Sequence, residues 1–228
     1  MATNMIGFRV YTNSPRPAAE LTSAFRGVPT GHVCDAMDRL GALAPHIRPL
    51  RPDLHLCGPA LTVRTRPGDN LMVHMALNLA VKGDVIVVDA GGDLTNSLIG
   101  ERMLAYCQAK GFGGIVINGA VRDVGYIRKH DFPVYAAGVT HRGPYKNGPG
   151  EINAPVALDG MAIEPGDLVV GDDDGLLCIP HDDVAAVYEL AQEKYEMETR
   201  TFKDIGKGDN NRAKYEQTLR ELGCEFES

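Results

Sequence analysis

The chain has no CxxC pair, no long basic run and no extended apolar segment, and each absence removes a class of function. No stretch approaches the roughly 18 consecutive apolar residues of a membrane span. The opening MATNMIGFRVYTNSPRP lacks the apolar core of a signal peptide, so a cytoplasmic protein with no membrane partner is expected. Thirty acidic residues against 23 basic ones give a formal charge of -7. That balance lacks the electrostatic footprint of nucleic-acid binding, and no nucleic-acid partner is expected. Cys34, Cys57, Cys107, Cys178 and Cys224 are scattered, with no paired histidines beside them. Their spacing argues against a zinc site and a disulfide framework, and predicts reduced, mostly buried thiols. Neither GxGxxG nor GK[ST] occurs, which disfavours nucleotide binding.

What is present suits one sizeable domain with a helical appendage: 228 residues, 44% of them hydrophobic. Ser14, Pro15 and Pro17 lead into a helix over AAELTSAF, and Thr30 is placed to cap a second helix carrying Val33, Ala36, Met37 and Leu40 at helical spacing. From Gly58 strand-like and helix-like runs alternate: ALTVRT, NLMVHMALNLAV, DVIVVDA, LIGERMLAYCQAK, GIVING, VGYIRKH, PVYAAGV. Such alternation predicts crossover connections and a largely parallel sheet, an α/β fold. THRGPYKNGPGE reads as a loop, and APVALDG, MAIEPGD and LVVGDDDGLLCIP as antiparallel hairpins, with Asp172 to Asp174 a solvated hairpin tip rather than a calcium loop. After Pro180 a long helix runs through DDVAAVYELAQEKYEMETRTF, GKGDNN breaks it, and RAKYEQTLRELG forms a last helix. The boundary is expected near 185, with 1–185 as the α/β domain and 186–228 as a helical extension packing on the same or a neighbouring subunit.

Ligands of parallel sheets gather at the carboxyl ends of strands. Two glycine-rich loops stand there, DAGGD after VIVV and NGAVRD after GIVI. The first runs on to Gly100 and Glu101, where a helix begins whose free N–H groups suit a carboxylate or phosphate. The glycines also have a plain reading as turn formers. Asp123 has one too, as cap of the VGYIRKH helix with Arg122 answering a distant carboxylate. Functionally, adjacent residues at a strand end point apart, so the Arg122 guanidinium can clamp an oxyanion while Asp123 holds a cation of the Mg²⁺ type. Glu101 adds a second acid. His74, on a mostly apolar helix, reads as packed or at a subunit contact; His141 lies in a loop able to close over a pocket.

The run GDVIVVDAGGDLTNSLIGERMLAYCQAKGFGGIVINGAVRDVGYIRKHDFPVYAAGVTHRGP closely resembles the family of 4-hydroxy-4-methyl-2-oxoglutarate/4-carboxy-4-hydroxy-2-oxoadipate aldolases and of RraA, the regulator of ribonuclease E. The likeness spans about residues 20 to 185. Its signature is an acid, twenty intervening residues, then Arg-Asp, here Glu101 followed by Arg122 and Asp123. The resemblance implies a swivelling β/β/α sandwich with N-terminal helices and a long C-terminal helix. It also implies a trimer or dimer of trimers (hexamer), with active sites between subunits. By the same likeness Asp123 holds Mg²⁺ or Mn²⁺, and the backbone of Gly100, Glu101, Arg102 and Met103 binds the carboxylate of a small 2-keto acid. Arg122 then faces the keto oxygen, and Glu101 removes the 4-hydroxyl proton through a water. The implied reaction is class II aldol cleavage to pyruvate with oxaloacetate decarboxylation as a side reaction. Aldolases of this family also use a neighbouring subunit's C-terminal glutamate; the corresponding stretch is TFKDIGKGDNN, where Lys207 lies near the expected position. The alternative is a non-catalytic regulator of ribonuclease E, a branch that lacks both the aspartate after the arginine and the earlier acid.

Overall fold

The run VIVV is apolar at every position because both faces of its strand are covered. The computed structural model describes residues 6–42, 45–205 and 212–226. In it β4 (Val85–Asp89) sends Ile86 and Val88 into one core and Val85 and Val87 into another. A strand covered on both sides reads as a continuous hydrophobic run rather than an alternating one. β4 lies between β3 (Leu56–Thr65) and β5 (Gly114–Val121), and β5 pairs with β6 (Val134–Val139), all in parallel. The connections carry α3 (Leu71–Leu79), α4 (Glu101–Lys110) and the four-residue α5 (Val124–Ile127). The expected parallel α/β sheet is therefore present.

The second β layer begins within β3 itself. Ala60 to Arg64 pair with β4, whereas Leu56 to Pro59 pair antiparallel with β10 (Leu168–Asp172), which forms a hairpin with β11 (Gly175–Ile179). A separate hairpin, β8 (Val156–Leu158) with β9 (Met161–Ile163), packs Val156, Leu158 and Ile163 into the core between the layers. A third core joins Phe25, Val28 and Val33 to Leu168, Ile179, Val184 and Val187. It seats α1 (Ala19–Ala24), α2 (Thr30–Ala36) and the first turns of α6 (Val184–Ile205) on that layer. α7 (Arg212–Glu221) follows. Residues 206–211, within the stretch TFKDIGKGDNN and including Lys207, lie outside the described residues.

Three details differ from expectation. Thr30 does not cap α2 through its side chain; its N–H and hydroxyl both donate to Asp172, tying the helix to the GDDDG turn. α2 stops at Ala36, because Asp38 and Arg39 take left-handed φ of 50° and 67°, which leaves Leu40 off the helix and exposed. Three short strands were not anticipated: β7 (Gly150–Ile152), which takes up the end of the stretch read as the loop THRGPYKNGPGE, pairs parallel with β1 (Phe8–Val10), and β2 (Arg48–Pro49) pairs with β6. No described helix is long and apolar enough to cross a membrane.

Candidate active site

Glu101 and the Arg122–Asp123 pair, separated by twenty residues in the chain, meet because the segment before α4 runs alongside the end of β5. Leu98 N–H donates to Ala120 O at 2.8 Å and Arg122 N–H to Ile99 O at 3.0 Å, around a single parallel bridge between Ser97 and Ala120. Gly100 thereby lies against Asp123. A β-carbon there would sit 2.4 Å from Asp123 Oδ2 and 3.0 Å from Arg122 Cγ and Nε, so close approach, not backbone conformation, demands glycine.

Asp123 has φ 62° and ψ 41°, a left-handed conformation that aspartate tolerates better than most residues. This twist turns its side chain away from the helix it precedes. The carboxylate does not cap α5; Oδ2 accepts the Glu101 N–H at 2.9 Å, capping α4 across the pocket floor. The plain reading of Asp123 as the cap of VGYIRKH is thus corrected. Arg122 does not reach for a distant carboxylate either: its nearest is Asp123, at 3.8 Å from Nε. Its Nη1 lies near the 140–149 loop, 3.5 Å from where a β-carbon on Gly143 would stand.

Around this floor is a cavity of about 650 Å³. Gly100, Glu101, Arg102, Met103, Arg122 and Asp123 all line it, so every site residue expected from the sequence is brought together. Of the four backbone N–H groups at the start of α4, two are engaged: Glu101 donates to Asp123, and Met103 to Gly100 O at 3.1 Å. Among the described residues the N–H groups of Gly100 and Arg102 donate to no protein group, and the field of a helix N-terminus there favours an anion.

The opposite wall contains residues that the sequence reading set aside. Asn70, just before α3, and His74 and Asn78 on it line the cavity, as does Lys146 from the 140–149 loop. The spacing of 70, 74 and 78 is a polar stripe at helical period on an otherwise apolar helix, the signal that would have found this wall. His74 is therefore a cavity residue rather than a buried packing group. Burial, with the nearby charges of Lys146 and Arg102, holds its pKa below the ordinary histidine value, so it is neutral at pH 7. His141 is not among the lining residues. Its loop is pinned: Ser97 N–H and hydroxyl donate to Arg142 O, Asn96 to Gly143 O, and Asn70 N–H to Tyr145 O.

No group of three or more His, Cys, Asp or Glu side chains among the described residues makes a protein-only metal cage. The carboxylate at the floor is instead that of Asp123, whose Oδ2 accepts the Glu101 N–H, and Glu101 also lines the cavity. One or two carboxylates with waters and substrate oxygens suit a hard divalent cation such as Mg²⁺, and the residues present fit one. The buried Cys57 and Cys107 thiols are pushed up to about 11 and about 12 by desolvation, and neither lines the cavity. All five cysteines are free.

The model of the RraA-like family, described as Aldolase/RraA, matches residues 30–178, which hold the whole of this floor and both walls. The chain belongs to the RraA-like family. A Halalkalibacterium halodurans protein bearing the provisional name 4-hydroxy-4-methyl-2-oxoglutarate aldolase is 39% identical to this RraA-like chain over 175 residues, 77% of the chain and 83% of the relative. Two solved structures share the RraA-like fold. An uncharacterized protein from Pseudomonas syringae pv. tomato superposes with a TM-score of 0.77 at 26% identity, covering 86% of this chain and 96% of its own. Streptomyces coelicolor RraAS2, described as an unusual member of the RNase ES inhibitor RraA family, gives 0.72 at 28% identity, with 82% and 99% covered.

Proposed function

We propose that this RraA-like chain is a divalent-metal-dependent class II aldolase and decarboxylase. Its substrate would be a 4-hydroxy-2-oxo dicarboxylic or tricarboxylic acid of the 4-hydroxy-4-methyl-2-oxoglutarate type, cleaved to pyruvate, and oxaloacetate decarboxylation would be a side activity. The observation that carries this reading is the convergence of Arg122, Asp123 and the α4 N-terminus on the floor of one cavity. The name borne by the Halalkalibacterium relative agrees with it.

Asp123 would hold Mg²⁺ or Mn²⁺; when bound, such an ion would supply Lewis-acid polarisation of the substrate's keto oxygen. The free N–H groups of Gly100 and Arg102 receive the 2-keto acid's carboxylate. Glu101, acting through an ordered water, takes the 4-hydroxyl proton. As that O–H electron pair becomes the new carbonyl, the C3–C4 bond breaks and its electrons form the enolate of pyruvate. The guanidinium of Arg122 faces the enolate oxygen, where the charge grows. Return of a proton to C3 completes pyruvate. In oxaloacetate the departing group is CO₂ and no hydroxyl proton has to be removed, so Glu101 matters less. At the far end Arg102, Lys146 and neutral His74 form a cationic wall suited to a second carboxylate.

The regulator reading, in which the chain restrains a ribonuclease, has the Streptomyces relative's description in its favour but makes no use of this cavity. As further parts of the proposal, subunits assemble as a trimer or hexamer. Leu94, which packs on Gly138, and Val139 are about half exposed beside the site and fit such a contact. Light scattering on the purified protein measures the assembly directly.

Pyruvate release from 4-hydroxy-4-methyl-2-oxoglutarate and from oxaloacetate, read by coupling to lactate dehydrogenase with Mg²⁺ and with EDTA, tests the function. Turnover should require the metal. Glu101→Gln should lose about a hundredfold in aldol cleavage and clearly less in decarboxylation. Metal-independent turnover, or equal losses in the two reactions, would overturn the mechanism, and ribonuclease inhibition without any pyruvate would replace it with the regulator reading.

A further inference from the structure

Asp69 is fully buried between β3 and α3, yet it carries a charge that neither the fold's cores nor the proposed chemistry uses. Its Oδ1 accepts the Leu71 N–H at 2.9 Å, at the start of α3. Its Oδ2 accepts the N–H groups of Asn147 at 2.6 Å and Gly148 at 3.1 Å, with Arg66 Nη2 at 3.4 Å. Burial alone would raise the pKa, but these donors outweigh it and hold the carboxyl below its ordinary value. The carboxylate's hydrogen bonds therefore reach two segments that are far apart in sequence. One begins the helix that carries His74; the other immediately follows Lys146, whose side chain lines the cavity. The same junction is braced by Tyr145 N–H donating to Gly68 O and Asn70 N–H to Tyr145 O, at 2.8 and 3.0 Å.

We infer that Asp69 is a positioning residue that sets the reach of Lys146 and so the cavity's selectivity for an acid with a second carboxylate. The inference rests on the reading of the cavity as a site for anionic 2-oxo acids. An unanchored lysine loses rotamer and loop entropy when it binds, whereas one held on a pinned backbone has less to lose. Asp69 touches no substrate; it acts through Lys146, and that route makes the idea testable by a double-mutant cycle.

The probes are 2-oxoglutarate and pyruvate, bound to the full chain in the presence of Mg²⁺ and followed by calorimetry. Lys146→Ala should weaken 2-oxoglutarate about tenfold, the worth of one charge-assisted hydrogen bond, and leave pyruvate nearly unchanged. Asp69→Asn should produce a similar loss, again for 2-oxoglutarate alone. The double variant should lose little more than either single one, because both remove the same interaction. Additive losses, an equal loss for pyruvate, or a wild type that binds neither acid would each overturn the proposal. Should Asp69→Asn fail to fold, wild-type hydrogen exchange decides: the amides of Asn147 and Gly148 should be protected well beyond those of His141 and Arg142, and rapid exchange there would sink the idea. Because these readouts are binding and exchange, they stand apart from the turnover assay, which alone tests the lyase reading.

Discussion

The two walls of the cavity are built in opposite ways. The floor and α4 wall is a backbone device: a glycine where no β-carbon fits, an aspartate in left-handed conformation, and a helix start capped from the next strand. The α3 wall is a side-chain device, in which Lys146 and His74 stand on segments joined by one buried carboxylate. The first holds its groups through the backbone, as the proposed bond-breaking chemistry would need. The second fixes charge at longer range, which suffices to choose between substrates. Disturbing the first wall should therefore abolish reaction, and disturbing the second should change preference.

The largest effect is expected from Asp123→Ala, which removes both the carboxylate proposed to hold the metal and the α4 cap. Pyruvate formation should fall about a thousandfold or more, and chemical denaturation should reveal about 1 kcal/mol of lost stability. Asp123→Asn retains an oxygen for the Glu101 N–H, so it should keep most of that stability while losing the activity. A variant that keeps the activity would break the comparison at its first term. Gly100→Ala comes next: its β-carbon must push Asp123 Oδ2 aside from 2.4 Å, and a loss of about a hundredfold in kcat is expected, with binding of 2-oxoglutarate disturbed less.

The α3 wall is probed more gently. Since burial and the charges of Lys146 and Arg102 depress the His74 pKa, a dicarboxylate bound between them should raise it, visible as a shifted NMR titration of that imidazole. Pyruvate should leave it where it is. The smallest effect concerns acid stability. The Asp69 carboxyl is depressed in the folded state, so its contribution is present above the unfolded carboxyl value of about 4 and is lost as pH falls through the folded one. Below pH ~4 wild type should therefore lose stability faster than Asp69→Asn, as measured by urea midpoints across that range.

Much of the floor was legible because the alternating runs placed Arg122 and Asp123 at a strand end and Glu101 at a helix start, and the family likeness supplied the significance of the spacing between them. What failed was the direction of Asp123. A residue before a short helix reads as its cap, and only the left-handed backbone turns the carboxylate to the other helix. The α3 wall was harder still. His74 looked like a packing residue because its immediate neighbours are apolar, although Asn70 and Asn78 flank it at a four-residue period. Nothing in the local sequence of Lys146 or Asp69 announces a bond between loops 78 residues apart. β1, β2 and β7 escaped for the same reason: each is three residues or fewer and exists only through its pairing with a distant strand.

The divided strand β3 has a consequence for how the molecule comes apart. Its first four residues belong to the hairpin layer and Ala60 to Arg64 to the parallel sheet, so neither layer can unzip without tearing the ladder of the other. Folding is thereby coupled across the whole body, and amides in the middle of β3 should open only when everything opens. The pocket floor, two strands away, inherits that cooperativity.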